Sequence, residues 1–187
     1  TKPFSKAELI ARVRTHTRLA KITLAYSRFV PREFLEILDR ESITDVQLGD
    51  HIRKNITVLF ADIRSFTSLS EKMTPEENFR FINSFLSRFG PIIRTHGGFV
   101  DKYVGDEIMA LFPNSPEDAL AAVSEMRRER LVYNRHRATM NYQPIDFGTG
   151  IHSGNVMMGT VGEAERMDTT VIADIVNTAS RLEALTK

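Results

Sequence analysis

The sequence predicts an α+β fold whose single sheet is laid out as strand, helix, strand, strand, helix, strand. Three observations predict it. The run Ile56-Thr57-Val58-Leu59-Phe60-Ala61 is apolar on both faces, as in a buried central strand, and it stops at an acid, Asp62. Two helix starts follow, Thr74-Pro75-Glu76-Glu77 and Ser115-Pro116-Glu117-Asp118, each with a capping hydroxyl and a proline in the first position. Between them, Phe99 to Tyr103 and Glu107 to Phe112 flank Val104-Gly105-Asp106, which has the chemistry of a hairpin turn.

The elements follow in order. Ser5 and Glu8 form a capping box, and Leu9, Ile10, Val13 and Thr17 line one face of a helix to about Leu19. Residues 22–54 read as a helical linker. Pro31 suits a helix start, and Phe34, Leu35 and Leu38 follow at helical spacing, as in a docking or coiled-coil connector. Gly49-Asp50 reads as a turn before the strand that begins at Asn55. In the helix from Thr74, the apolar stripe is Phe79, Ile82, Phe85, Leu86 and Phe89. Pro91 is expected to kink or break that helix, and Gly97-Gly98 to end it. The helix from Ser115 turns Ala119, Ala122, Val123 and Met126 inward. Ile145 to Ser153 and Asn155 to Val161 read as two strands separated by Ser153-Gly154, and Ile172 to Leu185 as a last helix. The expected organisation is thus a short N-terminal piece over 1–21, a linker over 22–54 and a folded domain over 55–187.

Composition excludes several classes. The 187 residues contain no cysteine, which removes disulfide scaffolds, Cys-based zinc sites and thiol nucleophiles. It also agrees with a reducing, cytoplasmic setting. The formal charge of +1 argues against a dedicated nucleic-acid binder. No apolar run reaches the length of a membrane span, and no signal-peptide pattern opens the chain. Arg127, Arg128, Arg130, Arg135 and Arg137 form a basic stretch, but Glu125 and Glu129 interrupt it, and it reads as a solvated helix surface. His152, in an apolar strand, reads as a core histidine. Only seven of the 25 basic residues are lysines, so a lysine beside a candidate site draws attention.

The chemistry concentrates at two chain bends. Asp62 ends the central strand and Asp106 sits in the hairpin turn; the predicted sheet makes these neighbours. Each acid alone reads as a strand-end or turn residue. Together they offer hard oxygen ligands with open positions, which suit Mg²⁺ or Mn²⁺ bound jointly with phosphates. The backbone amides from Ile63 through Phe66 to Thr67 open a helical turn, a place where anions bind, although no Gly-rich fingerprint accompanies them. Lys102, on the strand before the hairpin turn, precedes Asp106 by four residues. Asn177 and Arg181 share one helix face among small residues, and an amide beside a guanidinium suits a sugar oxygen and a developing phosphoryl charge. An exposed lysine and a surface arginine paired with an acid are the plain alternatives for these positions.

Taken together, Val58 to Thr67, Gly98 to Asp106 and Thr170 to Glu183 resemble the catalytic domains of class III nucleotidyl cyclases, in the family's order and from about Thr57 to Lys187. The resemblance implies a ferredoxin-like βαββαβ cyclase domain. It implies conversion of ATP to 3′,5′-cyclic AMP and pyrophosphate, by two-metal-assisted attack of the 3′-hydroxyl on the α-phosphate. Asp62, Asp106 and the Ile63 carbonyl match the ligands of two Mg²⁺ or Mn²⁺ ions. Lys102 and Thr170 match the purine-reading positions, and a lysine where guanine-selective members usually carry Glu points to adenine. Asn177 and Arg181 match the pair that orients the ribose and stabilises the transition state. Phe66 and Thr67 belong to the phosphate loop, and Arg166 matches a triphosphate contact. The family works as head-to-tail dimers, so a homodimer is implied, with Asp62 and Asp106 from one subunit and Lys102, Thr170, Asn177 and Arg181 from its partner.

Two residues depart from the family's pattern, since Ser65 and Ala173 stand where Gly is frequent. Further strands usually follow the last helix, so the domain is expected to be C-terminally truncated in this chain. Thr1-Lys2-Pro3-Phe4 and the helix to Leu19 resemble the last strand and helix of a response-regulator receiver domain, with a cis peptide before Pro3 and Lys2 as its switch lysine. That resemblance implies an upstream receiver and a histidine kinase. A guanylate cyclase and a non-catalytic nucleotide-binding or dimerisation module are the alternatives. The diguanylate-cyclase relatives share the sheet plan but carry a second Gly before the turn acid.

Overall fold

A computed structural model describes residues 5–186. The expected strand end and cis peptide at Pro3 lie outside the described residues. Contacts divide the chain into two units between Gln47 and Leu48.

In the first unit, α1 (Lys6–Tyr26) starts where Ser5 accepts the Glu8 amide at 3.1 Å, and it runs about two turns beyond Leu19. None of its residues is buried. Leu9 and Val13, on the anticipated apolar stripe, are exposed. A second helix, α2 (Arg32–Ile37), follows Pro31 as expected; it buries Phe34 and Ile37, with Leu38 buried as its cap, while Leu35 of the anticipated stripe is only half-buried.

The second unit holds the sheet. Its strands are β1 (His51–Ile63), β2 (Phe99–Val104), β3 (Glu107–Phe112), β4 (Phe147–Glu163) and β5 (Arg166–Ile172). They lie in the order β2-β3-β1-β4-β5, every pair antiparallel. The α+β plan is borne out, and β1 is central, as its two-sided apolarity requires. Its first half alternates in exposure, and its second half is buried nearly without a break up to Ile63.

Three helices matter for the site: α4 (Pro75–Thr95), α5 (Pro116–Thr139) and α6 (Asp174–Ala184), with a single short turn, α3 (Phe66–Ser70), after β1. A full capping box fixes the start of α4: Thr74 accepts from the Glu77 amide at 3.2 Å, and Glu77 accepts from the Thr74 amide at 2.8 Å. The buried stripe of α4 is Phe81, Phe85, Phe89, Ile92 and Ile93, while Phe79 is 71% exposed. The face is therefore rotated from the one anticipated, because the four-residue spacing of Phe81, Phe85 and Phe89 wins the place in the core against α5 and the sheet edge at β2. Phe85, Phe89 and Phe147 form an aromatic cluster with centroid separations of 4.4 and 5.2 Å along the series. Full burial of each phenyl ring contributes about 1.5–3 kcal/mol.

Pro91 neither breaks nor ends α4, which continues to Thr95. A proline inside a helix costs roughly 3 kcal/mol. Burial of Phe89, Ile92 and Ile93 on both sides of it outweighs that cost. The inward residues of α5, namely Ala119, Ala122, Val123 and Met126, are buried as expected.

Two expected strands turn out to be one. β4 runs unbroken from Phe147 to Glu163, straight through Ser153-Gly154, and the actual turn lies at Ala164-Glu165, followed by β5. Two glycines of β4, Gly150 and Gly154, face α6, which lies on β4 and β1. A Cβ on Gly150 would sit 2.0 Å from the Ala179 carbonyl oxygen and 2.3 Å from the Glu183 nitrogen. Only a bare backbone lets the helix settle at this depth, with Ala179 and Glu183 buried beneath it. His152 is half-buried rather than a core residue.

Candidate active site

Asp62 is the penultimate residue of β1, and Asp106 is the second of two residues linking β2 to β3. The turn is possible because Gly105 adopts φ +65°, which a two-residue hairpin needs at that position. Ala61 pairs with Ile108 as the last pair of the ladder, so Asp62, one residue on, and Asp106, two residues back along β3's side, converge at its end. The Asp106 carboxyl is pushed up to about 7. Burial is the largest cause, followed by a hydrogen bond and charge repulsion from Asp62; the Ile63 amide opposes the shift. Its Oδ2 is buried with no hydrogen-bond partner.

An orphaned, buried carboxylate oxygen beside a second acid is a donor set short of a cation. The residues therefore fit a hard divalent ion. Among the described residues no cluster of three or more His, Asp or Glu side chains occurs. Such an ion would complete its shell with the Ile63 carbonyl, water or substrate oxygens, which is how Mg²⁺ is usually held.

The segment after Asp62 is anchored from two sides. Arg64 donates to Glu183 at 2.9 Å, both largely buried, and also to Thr186 Oγ1, which ties the loop to α6. Gly148 leaves the space that the Arg64 guanidinium fills. Ser65 then takes a left-handed backbone (φ 54°, ψ 32°) before α3, where Gly would be unstrained. Ala173, the other position where the resemblance implies Gly, is extended at φ −173° and carries no such strain. Phe66 stacks on Phe81 of α4 with centroids 6.1 Å apart, and Thr67 is exposed.

A second group gathers around Lys102. A β-bulge separates the pairs Val100–Ala110 and Lys102–Met109, leaving Asp101 as the extra residue. The bulge breaks the strand's alternation and brings Asp101 and Lys102 together, with Nζ 3.3 Å from Asp101 Oδ2. Asp101 is 9% exposed, and burial raises its carboxyl above the ordinary range, partly offset by Lys102 and reinforced by Asp168. Although β2 and β5 are opposite edges of the sheet, they meet here: Lys102 Nζ donates to the Thr169 carbonyl at 3.4 Å. Thr170 is the next residue, half-buried and opposite Gly159.

Arg166 opens β5 and is exposed, opposite Glu163. Asn177 and Arg181 are both exposed on α6, on the side away from buried Ala179 and Glu183. The candidate residues thus fall into a carboxylate group, a lysine–threonine group and an outward helix stripe. Asp101 and the Thr169 carbonyl were missed in the sequence. The β-branched run Thr169 to Ile172 could have revealed β5, whereas nothing local marks the bulge at Asp101.

The family model described as adenylate and guanylate cyclase catalytic domain matches residues 50–187. An adenylate cyclase from Anabaena cylindrica is 43% identical over 175 residues, covering 91% of this chain and 35% of that protein. The chain therefore spans about a third of that relative's length. Among solved structures, the adenylyl cyclase CyaB from P. aeruginosa superposes with a TM-score of 0.66 at 37% identity, covering 72% of this chain and 74% of that one. The guanylyl cyclase Cya2 gives 0.65 at 34% identity, covering 72% and 71%.

Proposed function

The chain belongs to the adenylate and guanylate cyclase catalytic domain family, and from that premise we propose that it converts ATP to 3′,5′-cyclic AMP and pyrophosphate. The observation that carries the reading is the convergence of Asp62 and Asp106, with one carboxylate oxygen buried and unpartnered. Asp62, Asp106 and the Ile63 carbonyl would hold Mg²⁺ or Mn²⁺, two ions per site. When bound, these ions supply charge neutralisation for the triphosphate and acidify the 3′-hydroxyl.

The remaining roles belong to the chain's own groups. Asp62 is placed to accept the 3′-hydroxyl proton. The amides leading through Phe66 and Thr67 face the phosphates, and Arg166 offers a further contact. Lys102, held by Asp101 and the Thr169 carbonyl, presents one donor to the base, and Thr170 beside it reads the second position. The Lys102 ammonium donates and cannot accept, which fits the acceptor N1 of adenine and disfavours the N1–H of guanine. Asn177 orients the ribose, and Arg181 meets the charge that grows on the α-phosphate as pyrophosphate departs.

The outward stripe carrying Asn177 and Arg181 supports a head-to-tail homodimer, in which each subunit completes its partner's site. We further read residues 1–21 as the tail of a receiver, 22–54 as the linker and 55–187 as the cyclase domain, in a cytoplasmic two-component pathway under a histidine kinase. No helix among the described residues is long and apolar enough to cross a membrane.

Turnover of ATP and GTP side by side, with Mg²⁺ or Mn²⁺ and product separation by chromatography, tests the reading. Cyclic AMP from ATP is expected, with little from GTP and none from Asp62→Ala. A preference for GTP would overturn the role given to Lys102. Nucleotide binding without turnover would favour a non-catalytic module.

A further inference from the structure

A cavity of about 630 Å³ lies between the first turns of α4 and the last turns of α5, and no residue assigned to the nucleotide site lines it. Its size is that of a small-molecule site. No role assigned above uses it. It holds the one fully buried member of the basic stretch. Arg137 is 4% exposed.

The guanidinium of Arg137 is boxed by rings. Its central carbon lies 4.8 Å from the Phe81 centroid and 5.5 Å from those of Tyr133 and Tyr142. Nε donates to the Gln143 carbonyl at 2.7 Å. Among the described residues no carboxylate pairs with it. A buried cation is ordinarily paired, because leaving water is costly. The C-terminal end of α5 supplies only a fractional negative charge.

The rest of the lining has the same sign. Lys72 and Arg80 add two cations, and His136 lies on the same wall. Glu77 is the single acid, and its carboxylate already accepts the Thr74 amide at the head of α4. The apolar walls are the rings of Phe81, Tyr133 and Tyr142 with Leu69 and Met73, and the Tyr133 hydroxyl is already engaged, donating to Ser84 at 3.0 Å.

We propose that this cavity binds a small organic anion, with its carboxylate or phosphate on Arg137 and a flat apolar body against Phe81 and Tyr142. Arg80 and Lys72 supplement the charge at the mouth. The site is separate from the nucleotide site and does not depend on the cyclase reading.

The chain has no tryptophan, so a naphthyl probe can be followed without indole background. Fluorescence titration with 2-naphthoate, and with the neutral 2-naphthamide as control, tests the proposal. Saturable binding of one naphthoate per chain is expected, with little binding of the amide. The paired variant Lys72→Ala, Arg80→Ala changes rim residues only, and should weaken binding by about tenfold or more as charge-assisted contacts are lost. Arg137→Gln should abolish it, with circular dichroism confirming the fold. Excess Mg²⁺–ATP should not displace the probe. Failure of the folded wild type to bind would overturn the proposal. So would equal binding of the amide, indifference to the rim variants, or displacement by ATP.

Discussion

Ser65 shows how a single backbone angle carries a cost. Its left-handed conformation sits between Asp62 and α3, at a position where the cyclase resemblance implies Gly. An L-residue there costs about 1–2 kcal/mol, part of which Gly returns as greater freedom in the unfolded chain. Ser65→Gly is therefore expected to stabilise the protein by up to about 1 kcal/mol, read as a higher urea midpoint at unchanged slope. Asp101 shows a cost of another kind. Burial raises its pKa, so the unfolded chain gives up that proton at lower pH than the folded one does. The penalty is absent below the unfolded value of about 3.9 and grows as pH rises through the higher folded value. Asp101→Asn should then raise the melting temperature at pH 8 and leave it nearly unchanged at pH 3. Because the same carboxylate holds Lys102, the variant should also narrow the preference for ATP over GTP. Stabilisation without any loss of preference would show that Lys102 is positioned by the Thr169 carbonyl alone.

Elements were legible where a local signal and a tertiary demand agree. The capping box at Thr74, the two-sided apolar run of β1 and the Gly105-Asp106 turn each state their structure within a few residues. The sequence misleads where a partner decides. Ser153-Gly154 has turn chemistry, but Gly154 is small because Ile175 of α6 presses on it, and β4 runs straight through. Phe79 and Phe81 fit the same helix, and only the sheet chooses between them. Arg137 reads as a surface residue because burial of a cation among rings has no local mark. The acids of the site were readable as endpoints of clear patterns; Asp101 was hidden by a bulge that no short motif announces. Pro91 tests the balance inside one element. It is exposed, and its ring only removes a hydrogen bond from α4. Pro91→Ala should stabilise the protein by about 1–3 kcal/mol in denaturant melts. A neutral or destabilising result would mean that α4 needs the proline's geometry to place Ile92 and Ile93.

At the scale of the whole molecule, the proposed dimer divides each reaction between two chains. The Arg64–Glu183 bridge then acquires a meaning that one chain alone does not show. Arg64 belongs to the loop beside the acids of one site, and Glu183 lies on the helix whose outer stripe serves the other. Each subunit thus carries a short, buried mechanical link between the two reaction centres. Occupancy of one centre should be felt at its twin, and velocity plotted against ATP should depart from a simple hyperbola. Glu183→Gln keeps the shape and weakens the link, so the curve should move toward hyperbolic form while the maximal rate changes less. A Hill coefficient unaltered by that substitution would mean that the two centres fire independently.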